Sequence, residues 1–255
     1  MLVSRHFRLS RLKTLGLLDK LQTADGKAIS LFVPPSLPAS EVQGLLEKAA
    51  VPQVVATDIS ELITGSQTGA VLFWGPPLRY LVLPPFPVTE KYTAPGYDVE
   101  PLRSQLTHPF SIALVLVRLG AYAIGVCQGE KLIASKTGTG LVHGRHKKGG
   151  STQRRFARRR EKQIDTFLER VSHHVQQQLE PHAATLDYLV YGGARASIRS
   201  LQEQCPFLHH LKNRTLPPLL NIPKPRRSVL EAAVGHIWSS SVTQWYDDQT
   251  LDIDS

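Results

Sequence analysis

The chain has 255 residues, 42% of them hydrophobic and 20% charged, enough to bury a sizeable core in one large or two small domains. It has no run of eighteen apolar residues, which excludes a membrane-spanning helix. Its two cysteines, Cys127 and Cys205, make no disulfide framework and fit the reducing cytoplasm. The formal charge is +9 and the pI about 9.7. Nearly all the excess lies in residues 145–162, where nine Lys and Arg meet one acid, Glu161. A field focused in this way suits a polyanion, and phosphate backbones are the common kind. The competing reading is a solvated basic tract. Phe156 within the run, and the amphipathic pattern directly after it, weigh against that reading.

The opening residues, MLVSRHFRLSRLKTLG, lack the apolar h-region of a secretory signal. They are Arg-rich and acid-free up to Asp19, which leaves two readings. One is a surface helix carrying Leu9, Leu12, Leu15 and Leu18; the other is an organellar transit peptide. Residues 29–33 predict a strand stopped by Pro34-Pro35. Ser40 with Gln43 predicts a capping box for a helix through Ala50, and Asp58 predicts the cap of a shorter helix through Ile63. Residues 70–74 and 80–83 flank Gly75-Pro76-Pro77 as a hairpin. The Pro-rich stretch 84–101 reads as a linker. The expected organisation is a small α+β region with its linker over 1–101, a second domain over 102–240 and an acidic tail over 241–255.

Residues 112–118, 122–126 and 131–135 predict a three-stranded meander, followed by a Gly-rich basic loop over 138–150. A long helix starts near Thr152, with Ile164, Phe167, Leu168, Val171, Val175 and Leu179 on one stripe, and Pro181 ends it. Residues 186–191 predict a buried strand stopped by Gly192-Gly193, and 195–204 a helix. Residues 219–222 are a candidate last strand, and Ser228 predicts the cap of a helix over 229–238. Three strands and then alternating helix and strand predict an α/β fold, a mixed sheet with flanking helices.

The segment 143–160 reads HGRHKKGGSTQRRFARRR. Gly149 and Gly150 allow backbone angles closed to other residues and close approach to a ligand. The helix after them points its free N–H groups back at the loop, an arrangement that attracts anions and oxyanions. Gln153 offers a neutral amide with one acceptor and two donors, able to hold a water without being titrated. It is no strong base, so any rate gain must come from positioning and electrostatic stabilisation. A plain phosphate contact is the alternative role for such a loop. Gly149, Gly150, Ser151, Thr152 and Gln153 form the candidate catalytic set. Arg145, His146, Lys147, Lys148, Arg154, Arg155, Arg158 and Arg159 are the candidate RNA contacts. Ser151 has no base fixed beside it by the sequence. His143 and His146, three apart in a Gly-rich loop, do not make a zinc pattern and read as phosphate contacts, so no metal and no cofactor is expected. His173-His174 and His209-His210 read as helix-surface residues, and Trp74, Trp238 and Trp245 as packing residues.

Gly149-Gly150, followed by Arg155-Phe156-Ala157-Arg158 and Arg160, resembles the middle domain of eukaryotic and archaeal class-one translation release factors. Those factors carry a Gly-Gly-Gln loop before an Arg-Phe-Ala-Arg helix start. The likeness covers roughly residues 70–239 and includes Leu72-Phe73-Trp74-Gly75, Phe86-Pro87-Val88 and the strand ending in Gly192-Gly193. Three features depart from it. Ser151 stands where those factors place Gln, and the glutamine comes two residues later at Gln153. The first seventy residues hold no Asn-Ile-Lys-Ser codon-reading motif. Nothing after Ser239 matches the third domain that recruits the partner GTPase. In these respects the chain resembles the Vms-like release factors, the peptidyl-tRNA hydrolases with a displaced glutamine.

That resemblance implies a ribonuclease-H-like variant of the α/β fold. It implies codon-independent hydrolysis of the peptidyl-tRNA ester on stalled or split large ribosomal subunits, as part of ribosome rescue. The implied partners are the rRNA of the peptidyl-transferase centre and peptidyl-tRNA, with no membrane and no partner GTPase. Two rivals remain open: a non-catalytic ribosome- or RNA-binding module, suggested by Ser151 in the glutamine slot, and a tRNA 3′-end nuclease. Metal-dependent nucleases need clustered carboxylates, and Glu130, Asp165 and Asp187 show no cluster in the sequence.

Overall fold

In the computed structural model, residues 2–142 and 151–247 are described, the side chains of 151–154 excepted. The described strands are β1 (Leu2–Leu9), β2 (Ile29–Val33), β3 (Ala70–Trp74), β4 (Arg79–Leu83), β5 (Tyr92–Pro95), β6 (Ser111–Arg118), β7 (Ala121–Gln128), β8 (Lys131–Thr139), β9 (Tyr188–Gly193) and β10 (Ser240–Asp247). The α-helices are α1 (Arg11–Gln22), α2 (Ala39–Lys48), α3 (Gln53–Thr64), α4 (Glu100–Thr107), α5 (Ser151–Leu179), α6 (Arg195–Gln204), α7 (Pro206–His210) and α8 (Arg227–Ile237). The chain divides into two compact units, one formed by Met1–His108 with Gly235–Ser255 and the other by Pro109–Val234.

The first unit is an antiparallel six-stranded sheet in the order β1-β10-β4-β3-β2-β5. Its strands alternate with period two, which sends successive side chains to opposite faces. Leu31, Val33, Leu72 and Trp74 pack with Val42, Leu46, Ile59 and Ile63 of α2 and α3. Phe32, Val71, Phe73 and Val82 pack with Leu18, Leu21, Leu102 and Leu106 of α1 and α4. Both sheet faces are therefore covered, and β2 and β3 are buried along most of their length.

Several local expectations are corrected here. The opening residues form an edge strand before a helix: β1 pairs with β10 from Leu2↔Asp247 to Leu9↔Ser240, so Leu9 is not helical and Leu12 faces solvent. Residues 240–247 are therefore no tail. Trp245 is buried, its ring 5.7 Å from that of Trp74. The stretch 84–101 is no linker, because β5 pairs with β2 and α4 begins at Glu100. Proline is tolerated at the end of an edge strand, where its missing N–H costs no ladder bond. The unit boundary falls after His108 instead of near residue 101. Neither Ser40 nor Asp58 caps a helix. The Pro38 carbonyl accepts from Glu41 and Val42, and the Pro52 carbonyl from Val55 and Ala56, so α2 and α3 start earlier than side-chain signals suggest. Ser228 sits inside the first turn of α8.

The second unit carries the sheet β8-β7-β6-β9, with β9 parallel to β6 and the other pairs antiparallel, the expected mixed α/β sheet. Ala113, Val115, Val117, Tyr122, Ile124 and Val126 face a core shared with Phe167, Leu168, Val171, Val175 and Leu179 of α5 and with Ile198 and Leu201 of α6. On the other face Leu230 of α8 lies against Gly125, where an added Cβ would come within 2.8 Å of it. Residues 219–222 make only the single bridge Gly192↔Leu220. Pro217, Pro218, Pro223 and Pro225 around them cannot donate to a ladder.

Two outcomes test this arrangement. Truncation after Ser239 removes the strand between β1 and β4 and abolishes the cooperative melt of the first unit by circular dichroism. Burial pushes the Cys127 thiol up to about 12 from 9.0, and Cys205 is buried as well. A thiol held neutral in the fold costs stability only where the unfolded thiol ionises. The loss therefore begins as pH rises through about 9 and is complete near 12. Labelling by a thiol-specific reagent at pH 8 is accordingly slow in the native protein and fast in denaturant.

Candidate nucleic-acid interface

The site is built at the end of the second unit's sheet where β8 stops. Gly138 lies against Tyr122, and a Cβ there would sit 2.4 Å from the phenol oxygen. The Gly140 N–H donates to the Gly120 carbonyl at 3.1 Å. A Cβ on Gly140 would come within 2.6 Å of the Phe167 ring. The Tyr122 and Phe167 ring centroids are 6.2 Å apart, and His174 stacks on Tyr122 at 5.7 Å and 22°. Arg170 on α5 donates to the Thr139 carbonyl at 3.3 Å. Burial pushes the Tyr122 phenol above its ordinary range, against the opposing effect of Arg170. The two glycines let the chain leave the sheet directly over the first buried turn of α5. Residues 140 and 167 therefore touch, and everything between them is an excursion from that point.

The return limb of the excursion is helical. α5 has 29 residues, about 43 Å at the usual rise. Its first buried residue is Phe167, and none of residues 155–166 is buried. The sixteen residues Ser151 to Thr166 thus extend about 24 Å past Phe167, the first buried residue of the helix. Ile164 alone on this limb packs partly against the core. Arg155, Arg158 and Arg159 are exposed, and they make no ion pair among the described residues. Phe156 is 50% exposed and Arg160 half-buried. The first turn holds no acid. Like charges three and four apart on a helix repel, and the helix dipole adds positive potential at this end. A polyanion relieves both.

The candidate residues fall into three groups. Ser151, Thr152 and Gln153 lie in the first turn of α5 and Arg154 comes next, with side chains outside the description. Gly149, Gly150, Arg145, His146, Lys147 and Lys148, together with His143, lie outside the described residues. The structure brings Arg155, Arg158 and Arg159 together on one exposed limb. Among the described residues no group of three His, Cys, Asp or Glu could hold a metal ion. Asp187 accepts the Ser111 N–H at 2.7 Å and so ties the start of β6 to β9. His173 is exposed, as a surface residue should be, but His174 is half-buried on Tyr122. Trp74, Trp238 and Trp245 are all buried packing residues. Sequence reasoning missed the anchoring role of Gly138, Gly140 and Arg170; the Gly-Thr-Gly at the strand's end was the signal.

The family model described as the Actinobacteria/Chloroflexi VLRF1 release factor matches residues 111–243, just over half of the chain. Over 247 residues the chain is 26% identical to peptide chain release factor subunit 1 of Aeropyrum pernix, covering 86% of this chain and 66% of that one. Over 126 residues it is 25% identical to the protein of the same name from Archaeoglobus fulgidus, covering 49% and 31%. The chain thus spans less than two thirds of the length of these curated relatives. Among solved structures it is similar to archaeal translation termination factor aRF1, with 20% identity and a TM-score of 0.40 over 90% of this chain and 73% of that one.

If the exposed limb serves charge and not packing, replacing Arg155, Arg158 and Arg159 by Gln leaves the melting temperature within about two degrees, as surface changes usually do. The same variant loses polyanion binding in a heparin or RNA retention assay, and its salt dependence flattens by about one log unit per phosphate contact removed.

Proposed function

Given that the chain belongs to the Actinobacteria/Chloroflexi VLRF1 release factor family, related to the class-one release factors, we propose that it is a peptidyl-tRNA hydrolase of ribosome rescue. It releases nascent chains from stalled or split large subunits in the cytoplasm without reading a codon. The observation that carries this reading is the arginine-rich limb of α5 that follows the Gly-rich segment in sequence, where residues 155–166 contribute no buried residue to the fold. A limb about 24 Å long is suited to entering a cavity walled by RNA.

In this mechanism Arg145, His146, Lys147 and Lys148 of the loop, with Arg154, Arg155, Arg158 and Arg159 of the helix, neutralise rRNA and tRNA phosphates. Gly149 and Gly150 bend the loop so that its backbone can approach the ester. Gln153 positions a water beside the ester carbonyl, its amide oxygen accepting from the water and its N–H₂ free to donate. Ser151 and Thr152 supply backbone N–H groups at the helix start, where a tetrahedral oxyanion is stabilised. The water oxygen bonds to the carbonyl carbon, the bond to the tRNA ribose oxygen breaks, and the water's proton ends on that ribose oxygen. Gln153 is not titrated in the working range, so rate comes from orientation and the preorganised field.

Gln153→Ala is expected to slow release of a labelled peptide from purified large-subunit–peptidyl-tRNA complexes by about a hundredfold or more, the cost typical of a lost transition-state contact. Binding to those complexes should stay within about twofold. The assay contains no mRNA and no puromycin, and gel analysis follows the tRNA. Wild-type rates for the variant sink the role of Gln153. No release by the wild type leaves the non-catalytic binding reading favoured by Ser151, and a shortened tRNA 3′ end leaves the nuclease.

A further inference from the structure

Charge is segregated between the two units. The first carries 10 basic and 13 acidic residues, the second 20 and 8. The arm segment 145–162 accounts for +8 of the second unit's +12, so a surplus of +4 lies elsewhere in it.

The topology gathers part of that surplus at one place. β6, β8 and β9 all finish at the same end of the sheet, because β6 is parallel to β9 and two strands removed from β8. Ala121 pairs with Arg118 on one side and Thr139 on the other, and Val117 pairs with Gly193. Gly193 donates to the Leu220 carbonyl at 2.9 Å, and Ala194 to the Val117 carbonyl at 3.3 Å. Arg118 donates through Nε to the Ile222 carbonyl at 2.7 Å and so clamps the segment after Leu220 to this sheet end. Arg195 comes two residues after Gly193, and Lys224 and Arg226 come two and four after Ile222. Arg195, Lys224 and Arg226 are exposed and make no ion pair among the described residues, whereas neighbouring Arg227 and Arg199 are paired with Glu231 and Glu203. β8 and β9 are three strand spacings apart, about 14 Å, so these cations lie within reach of the point where the arm leaves the sheet.

We propose that this sheet end is a second phosphate-binding surface, fitted to the backbone of the acceptor stem of the tRNA whose ester the arm attacks, with Arg195, Lys224 and Arg226 as its contacts. The proposal rests on the peptidyl-tRNA reading above and deepens it. The acceptor stem is the partner because it is joined covalently to the ester through a short single-stranded 3′ end. Its duplex therefore lies at a fixed interval behind the point the tip reaches. The sheet end, where Gly140 meets Phe167, stands behind the first residue of α5, Ser151, by sixteen residues of helix, about 24 Å. A duplex offers closely spaced phosphates to a set of exposed cations.

The test compares full-length wild type with the R195Q/K224Q/R226Q variant by fluorescence anisotropy. The probes are deacylated tRNA, an acceptor-stem minihelix and empty large subunits. The expected result is a loss on the order of tenfold in affinity for tRNA and minihelix near 0.1 M salt, with the salt slope reduced by about two to three. In the release assay KM should rise more than kcat falls. The R195K/R226K variant keeps the charge and should retain wild-type affinity; an equal loss there would mark a structural role and overturn the proposal. So would unchanged tRNA affinity in the triple variant, or a loss confined to empty subunits, which would assign the surface to rRNA. Surface and active site fail separately. Patch-dependent tRNA binding without any peptide release by the wild type removes the hydrolase and leaves the surface. Release by the triple variant at the wild-type KM does the reverse.

Discussion

The contact between Phe167 and Gly140 decides where the core of the second unit ends. Up to that contact α5 is a packed helix whose stripe of Phe167, Leu168, Val171, Val175 and Leu179 closes one face of the sheet. Before it the same helix, over residues 155–166, has only Ile164 partly packed on the core and no fully buried residue. Gly140 and Gly138 make this possible, because any side chain at either position would collide with Phe167 or Tyr122 and push strand and helix apart. Removing the Phe167 ring costs about 3–5 kcal/mol, as for other buried phenylalanines. The arm is therefore held by a base whose energy comes from apolar packing, while the arm itself is free to be chosen for charge.

That division of labour explains the distribution of arginines. A helix limb carrying Arg154, Arg155, Arg158, Arg159, Arg160 and Lys162 against two acids, Glu161 and Asp165, is strained by its own electrostatics. Arginine's intrinsic helix propensity and the continuous helix behind it keep the limb helical. The same cations would be costly inside the core, where burial demands partners. On the limb Arg155, Arg158 and Arg159 are exposed to water. The first unit, with a slight excess of acids and both sheet faces covered, shares none of this character.

The sequence was legible where the signal was local. The period of 3.6 along 164–179 and the apolar runs 112–118 and 122–126 located the helix and the strands that hold the arm. The Gly-rich basic run marked the candidate site, and the glycines and Pro181 marked ends. What it hid was non-local or carried by the backbone. β1 and β10 pair across almost the entire chain, from Leu2↔Asp247 onward, and no pattern in 241–247 announces a partner that far away. The polar Ser241, Thr243 and Gln244 made the strand look like a tail. Pro38 and Pro52 begin α2 and α3 through their carbonyls and fixed φ, which outweighs the side-chain caps at Ser40 and Asp58. At the site, the charge was readable but the reach was not. Reach depends on where burial begins, and Phe167 announces that only once Gly140 is seen beneath it.

The register of β1 with β10 bears on how the protein is made. The strand between β1 and β4 is contributed by residues 240–247, so the first unit cannot close its sheet until the ribosome has also synthesised the whole of the second. The second unit is continuous in sequence and is complete at Val234. During synthesis it has every strand it needs while the earlier-made unit still presents open edges on β1 and β4, edges prone to pairing with other chains. The part that bears the basic arm is thus equipped to mature before the part that begins the polypeptide.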